Sequence, residues 1–124
     1  MIDFIGDDFR VSAEDFTEAY TAVKDNGSGA LVKCTADTDA CLGIAVGQSK
    51  SGDRITLARA GIVKVRCTGA IAAEAEICPD EATAGNVKAI TGSASEVIIG
   101  KLLEVAGTTE LKFAMIYASK DRVS

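Results

Sequence analysis

The run IVKVRC at 62–67 alternates with a period of two. Val63, Val65 and Cys67 share one face, while Lys64 and Arg66 point the other way. This is the pattern of a strand with one buried and one solvated face. ELKFAMIYA at 110–118 repeats it, placing Leu111, Phe113, Met115 and Tyr117 together. Further short apolar runs lie at 30–34, 41–47, 54–61, 86–91 and 97–105, separated by turn-forming stretches such as DNGSG and QSKSGD. Near the front, Ser12 is placed to cap a short helical turn through DFTEAY, with Glu14 and Asp15 at its positive end. The same residues also suit a strand ending at YTAVK. The reading adopted is the turn followed by a strand at 19–24. About eight short strands in this rhythm predict an all-β barrel or sandwich.

An internal echo narrows the choice. LVKCTADTDACLGIA at 31–45 resembles VKAITGSASEVIIGKL at 87–102, with Gly43 and Gly100 in equivalent places, and SGDRITLA at 51–58 matches GTTELKFA at 107–114. Two related halves, about 30–58 and 87–114, are too few for a solenoid. A small closed barrel hides their sheet edges. Between them, GAIAAEAEI and the single proline, Pro79, suit a segment lying flat against a surface, either its own barrel or that of a neighbour.

Composition removes most chemistry. Among 124 residues there is no histidine, which excludes Ser-His-Asp and Cys-His catalysis and imidazole metal sites. There is no Trp and few other aromatics, so the core must be aliphatic. Cys34, Cys41, Cys67 and Cys78 lack the close pairs of a zinc site and read as small hydrophobes in strands. The N-terminus lacks the pattern of an export signal, which favours reduced thiols, and no stretch is long and apolar enough to span a membrane. Asp37 and Asp39 read as turn formers, and Glu74, Glu76, Asp80 and Glu81 as a solvated loop. No catalytic residue, metal ligand or cofactor site emerges, and no enzyme is expected.

Charge is unevenly spread. The net of -5 divides into -6 over residues 1–49, +4 over 50–66 and -3 over 67–124. Lys50, Arg54, Arg59, Lys64 and Arg66 carry the central excess. No aromatic residue lies between Tyr20 and Phe113 to stack bases, so nucleic acid is not expected as a partner. A solvated sheet face, or contact with an acidic protein surface such as the front of a neighbouring copy, accounts for the cations.

Gly52-Asp53, GIVKV at 61–65, GAIAA at 69–73, GNVKA at 85–89 and VIIGKLLE at 97–104 together resemble the small capsid decoration, or cement, proteins of tailed bacteriophages. Glu74-Ala75 stands where that family usually has Gly-Asp. The resemblance implies a β-tulip-like barrel over 20–124 with an extended arm at 1–19. It also implies a homotrimer on the outer surface of the virion, bound to the major capsid protein and made in the host cytoplasm. Membrane attachment is not part of it. Candidate capsid or intersubunit contacts are then Ile2, Phe4, Ile5 and Phe9 in the arm, with Arg54, Arg59, Lys64, Arg66 and Ile71 on the barrel. The alternatives are another β-barrel virion component, such as a head-fibre base or tail-tube module, and a small non-catalytic cellular binding domain.

Overall fold

The computed structural model describes residues 3–7, 10–92 and 95–117. Its strands are β1 (Asp3–Asp7), β2 (Thr21–Asp25), β3 (Leu31–Lys33), β4 (Gly43–Ala45), β5 (Leu57–Cys67), β6 (Glu76–Pro79), β7 (Val87–Ala89), β8 (Gly100–Leu102) and β9 (Glu110–Ile116). The all-β barrel expected from the alternation is present. Strand β5 pairs with β9 and touches β7 at Cys67, and β7–β6–β8–β9 complete a closed ring of five strands. Closure leaves these strands no free edge.

The long strand β5 joins two sheets. Its first part, from Leu57, carries β4 on one edge and β1 on the other. From Gly61 onward it pairs with β9 in the barrel wall. Gly61 sits at the changeover with φ near 104°, a backbone conformation that costs glycine nothing. The sequence suggests separate strands at 54–61 and 62–67; the glycine lets one strand turn the corner instead.

Barrel strands contribute Val63, Val65, Cys67, Ile77, Val87, Leu102, Ala114 and Ile116 to the interior, all essentially buried. Each larger aliphatic side chain contributes roughly 1.5–3 kcal/mol by leaving water. A second cluster of Phe16, Val23, Leu31, Ala45, Ile55 and Leu57 lies under residues 11–17 and 49–55, which cover the β3–β2–β4–β5 sheet.

Two features depart from the sequence reading. The helical turn at 12–20 is not formed. The Ser12 hydroxyl lies 2.8 Å from the Lys50 carbonyl and 3.2 Å from that of Asp53, and Phe16 exchanges backbone hydrogen bonds with Ser49. Bonds to distant strands replace the local turn, and they bury Phe16 to 1% exposure. The stretch 68–85, read as a flat-lying segment, supplies the barrel strand β6. Its Glu76 and Pro79 are disfavoured in strands, but Ile77 and Cys78 between them have no exposure, and that burial decides the conformation.

Residues of the 1–19 segment are engaged within the chain where they are described. Asp3–Asp7 pairs with β5. Leu31 N–H donates to the Val11 carbonyl, Ala13 N–H to the Leu31 carbonyl, and Lys33 N–H to the Glu14 carboxylate at 2.8 Å. Those bonds seal the outer edge of β3, a surface otherwise open to pairing with another chain.

Candidate functional site

The cations of the central stretch do not form one band. Arg54 is exposed on the covering loop, where it bridges Val11. Arg59 is half-buried beside the register shift between β1 and β5. Lys64 and Arg66 alone share the outer wall of the barrel. The Lys64 ammonium sits over the Phe113 ring, 5.4 Å from its centroid. Arg66 Nη2 donates to the Ala19 carbonyl at 2.9 Å, and its Nε lies 3.8 Å from the Glu18 carboxylate, tying the loop before β2 to the barrel.

Of the apolar candidates, Phe4 is half-buried against the main core, and Ile5 pairs through its backbone with Ala60. Ile2 and Phe9 lie outside the described residues. Ile71 is corrected as a surface candidate. It is 3% exposed, packed within the main core and joined to Ala106 by two backbone hydrogen bonds.

Sequence reasoning missed how the outer wall is populated. It grouped Leu111, Phe113, Met115 and Tyr117 correctly by parity but could not say which face they take. Ala114 and Ile116 point into the core, and Leu111, Phe113 and Met115 therefore lie on the outside. Across the wall, Lys64 pairs with Phe113, Ile62 with Met115, and Lys101 with Met115 from the other side. The signal was available in volumes, since a five-stranded barrel has little room for Phe and Met side by side but accepts Ala114.

The remaining polar groups are structural. Lys88 gathers Asp37 at 3.1 Å, Glu81 at 2.6 Å and Glu96 at 3.7 Å. The Glu81 contact leads in holding its ammonium well above the usual lysine range. The Thr91 hydroxyl, with Thr91 and Gly92 N–H groups, holds the Glu96 carboxyl below its ordinary value. This cluster joins the 35–40 loop of the first half to the second half.

All four cysteines are buried free thiols. Burial pushes Cys67 to about 11 and Cys78 to about 12, and a hydrogen bond with Cys41, then burial, raises Cys34 further. Such thiols are poor nucleophiles. An open depression of about 500 Å³ is lined by Asp15, Phe16, Thr17, Gln48, Ser49, Lys50 and Asp53. Its polar groups already serve the fold: Asp15 accepts from Ser51 N–H, and Gln48 donates to the Thr17 carbonyl. Among the described residues, no group of three His, Cys, Asp or Glu side chains is placed to hold a metal.

No family model matches the chain, and no curated protein matches it. Among solved structures, the chain is similar to the head fiber gp8.5 N base of bacteriophage phi29. The superposition has a TM-score of 0.68 at 14% identity and covers 93% of this chain and 95% of that one. The likeness is one of fold. It corrects the expected membership of the capsid decoration family. The turns and strands that suggested that family are devices of a small β-barrel, and the barrel they build matches a head-fibre base instead.

Proposed function

We propose that this chain is a non-catalytic structural component of a phage virion, acting as the base of a head fibre. The observation that carries the reading is the fold match, which runs through nearly the whole of both chains. A base needs a rigid body and surfaces for attachment, and it needs no chemistry. The closed barrel and the covered first sheet supply the rigidity, while the populated outer wall supplies a contact surface. The partner beneath it is the major capsid protein, and the site of action is the outside of the head, after synthesis in the host cytoplasm.

The test is electron microscopy of phage heads lacking the protein, before and after adding it in purified form. Added density at discrete positions on the outer head surface is expected. Heads without it should hold their DNA as well as complete heads do, because a fibre base serves attachment rather than reinforcement. Density on the tail, or no binding to heads, overturns the reading.

A further inference from the structure

The chain has two asparagines, and their surroundings are opposite. Asn86 is 3% exposed, its side-chain amide donates to the Thr68 hydroxyl at 2.9 Å, and the β-branched Val87 of β7 follows it. Asn26 is exposed in the turn between β2 and β3, and Gly27 follows it. An asparagine side chain is an electrophile towards the next backbone nitrogen, because attack there closes a five-membered ring. A branched side chain on that next residue is stiff and crowds the approach, whereas glycine leaves it open. Gly27 has φ near 96°, and a Cβ added to it would meet nothing within 4 Å.

The polar contacts of the turn bear on that ring closure. Gly27 N–H donates to Oδ2 of Asp25 at 2.7 Å, so a base already holds the proton that the nucleophile must lose. The Arg10 guanidinium donates to Oδ1 of Asp25 at 3.3 Å and to the Gly29 carbonyl at 3.2 Å, which keeps Oδ2 turned to Gly27. Oδ1 of Asn26 accepts from Ser28 N–H at 2.8 Å and from Ala30 N–H at 3.3 Å. This oxygen gains negative charge when the side-chain carbonyl is attacked, and two fixed donors lie where that charge develops.

We propose that Asn26 and Gly27 form a self-modification site. The Gly27 nitrogen bonds to Cγ of Asn26 and passes its proton, by way of Asp25, to the side-chain nitrogen, which leaves as ammonia. The succinimide so formed takes up one water, and the ring reopens to an aspartyl or an isoaspartyl residue. Water is the sole co-reactant. Each conversion adds a negative charge to the acidic front of the chain. The isoaspartyl product also lengthens the main chain by one carbon between β2 and β3. The reaction belongs to the turn and is independent of what the chain attaches to.

Mass spectrometry with peptide mapping tests it, on the full chain held for days at neutral pH. Cleavage after Lys24 and Lys33 isolates Asn26 in one peptide, and cleavage after Arg66 and Lys88 isolates Asn86 in another. The first peptide should lose ammonia, then gain water and end as two isomers that chromatography separates. The second should stay unchanged. Conversion in the folded chain should be at least as fast as in the same chain in guanidinium chloride, where the contacts of the turn are absent. Asp25→Ala should slow the folded reaction at least about tenfold and leave the denatured rate nearly unaltered. Circular dichroism monitors the fold of that variant, and the comparison of folded with denatured wild type needs no variant at all. An intact Asn26, or conversion slower in the folded than in the denatured chain, overturns the proposal. An unchanged rate in folded Asp25→Ala overturns it too.

Discussion

The two halves of the molecule pair their strands in the same order and end differently. In the first, β3, β2, β4 and β5 follow one another; in the second, β7, β6, β8 and β9 do so with the same antiparallel partners. The second half closes, because β9 returns to β5 and β5 meets β7. The first stays open, and residues 11–17 and 49–55 cover it instead. One strand pattern is thus completed in two ways, by backbone pairing or by a lid of side chains. The consequences for stability should differ accordingly.

The strongest way to break the parallel is at its two shared glycines. A Cβ on Gly43 would collide with the Ala58 carbonyl, and a Cβ on Gly100 with the Met115 carbonyl. Both obstacles are backbone, so neither can swing aside. Gly100→Ala should cost more than about 3 kcal/mol and loosen the whole barrel, beyond the usual range for overpacking. Gly43→Ala should cost a similar amount but confine its damage to the open sheet. Urea denaturation gives the totals. Amide hydrogen exchange separates the two, with protection lost throughout β5–β9 in the first variant and retained in β6–β9 in the second. Equal loss of protection in both would show that the halves unfold as one unit.

Phe16 probes the lid. It is the largest side chain of the second cluster and is 1% exposed. Phe16→Ala should cost about 3–4 kcal/mol through lost burial and the cavity left behind. Exchange should quicken first at Leu31 and Lys33, whose N–H groups bond to Val11 and Glu14 of the same covering segment. Uniform quickening through β9 would contradict a lid that serves only the open half.

Much of this contrast was legible in the sequence, and the rest was hidden for physical reasons. Alternation at 62–67 correctly places Val63, Val65 and Cys67 inside, because a strand's period and a barrel's single buried face leave no other choice. The paired glycines were visible, but the register that equates Ala58 with Met115 lies one residue beyond the textual match of Ala58 with Ala114. Strand β6 was hidden because it is only four residues, Glu76–Pro79, bounded by a Glu and a Pro that strands disfavour, and its position between β7 and β8 makes it extended. The outer wall was hidden because parity groups residues without choosing a face. Capping potential at Ser12 misled, since its hydroxyl found carbonyls nearly forty residues away in sequence.

A smaller effect comes from the charges that join the halves. Thr91 leads in lowering the Glu96 carboxyl below its ordinary 4.5, and Lys88 leads in lowering that of Glu81. Carboxylates lowered by folding contribute stability above 4.5 and lose it as pH falls through their folded values. Lys88 is raised above its ordinary 10.5, so its contribution is intact below that pH and fades as pH climbs through the raised value. The melting temperature should be nearly flat between about pH 5 and pH 8, falling below that range with the carboxylates and above it as the thiols of Cys34, Cys67 and Cys78, raised by folding, ionise in the unfolded chain. Lys88→Met should lower the plateau by a few degrees and make the acid limb shallower. An acid limb of unchanged shape would remove this cluster from the pH response.

The smallest expected effect tests the backbone that the halves share. Tyr20 and Glu74 precede Val23 and Ile77 by the same three residues, and both adopt positive φ, 60° and 68°. Each is a left-handed residue at the entry to an equivalent strand, where glycine would fit without strain. Their side chains serve different ends. Tyr20 packs against the main core, whereas Glu74 is exposed and meets Lys101 at 2.7 Å. Glu74→Gly should relieve about 1 kcal/mol of strain while losing a surface ion pair and freeing the unfolded chain, so these changes nearly cancel. Stability within about 0.5 kcal/mol of wild type is expected in urea denaturation, and added salt should narrow the gap. Tyr20→Gly makes the same backbone change but removes packed aromatic surface, and should cost about 2 kcal/mol. A loss above about 1 kcal/mol for Glu74→Gly would mean that the Lys101 contact, rather than the left-handed backbone, sets the entry to β6.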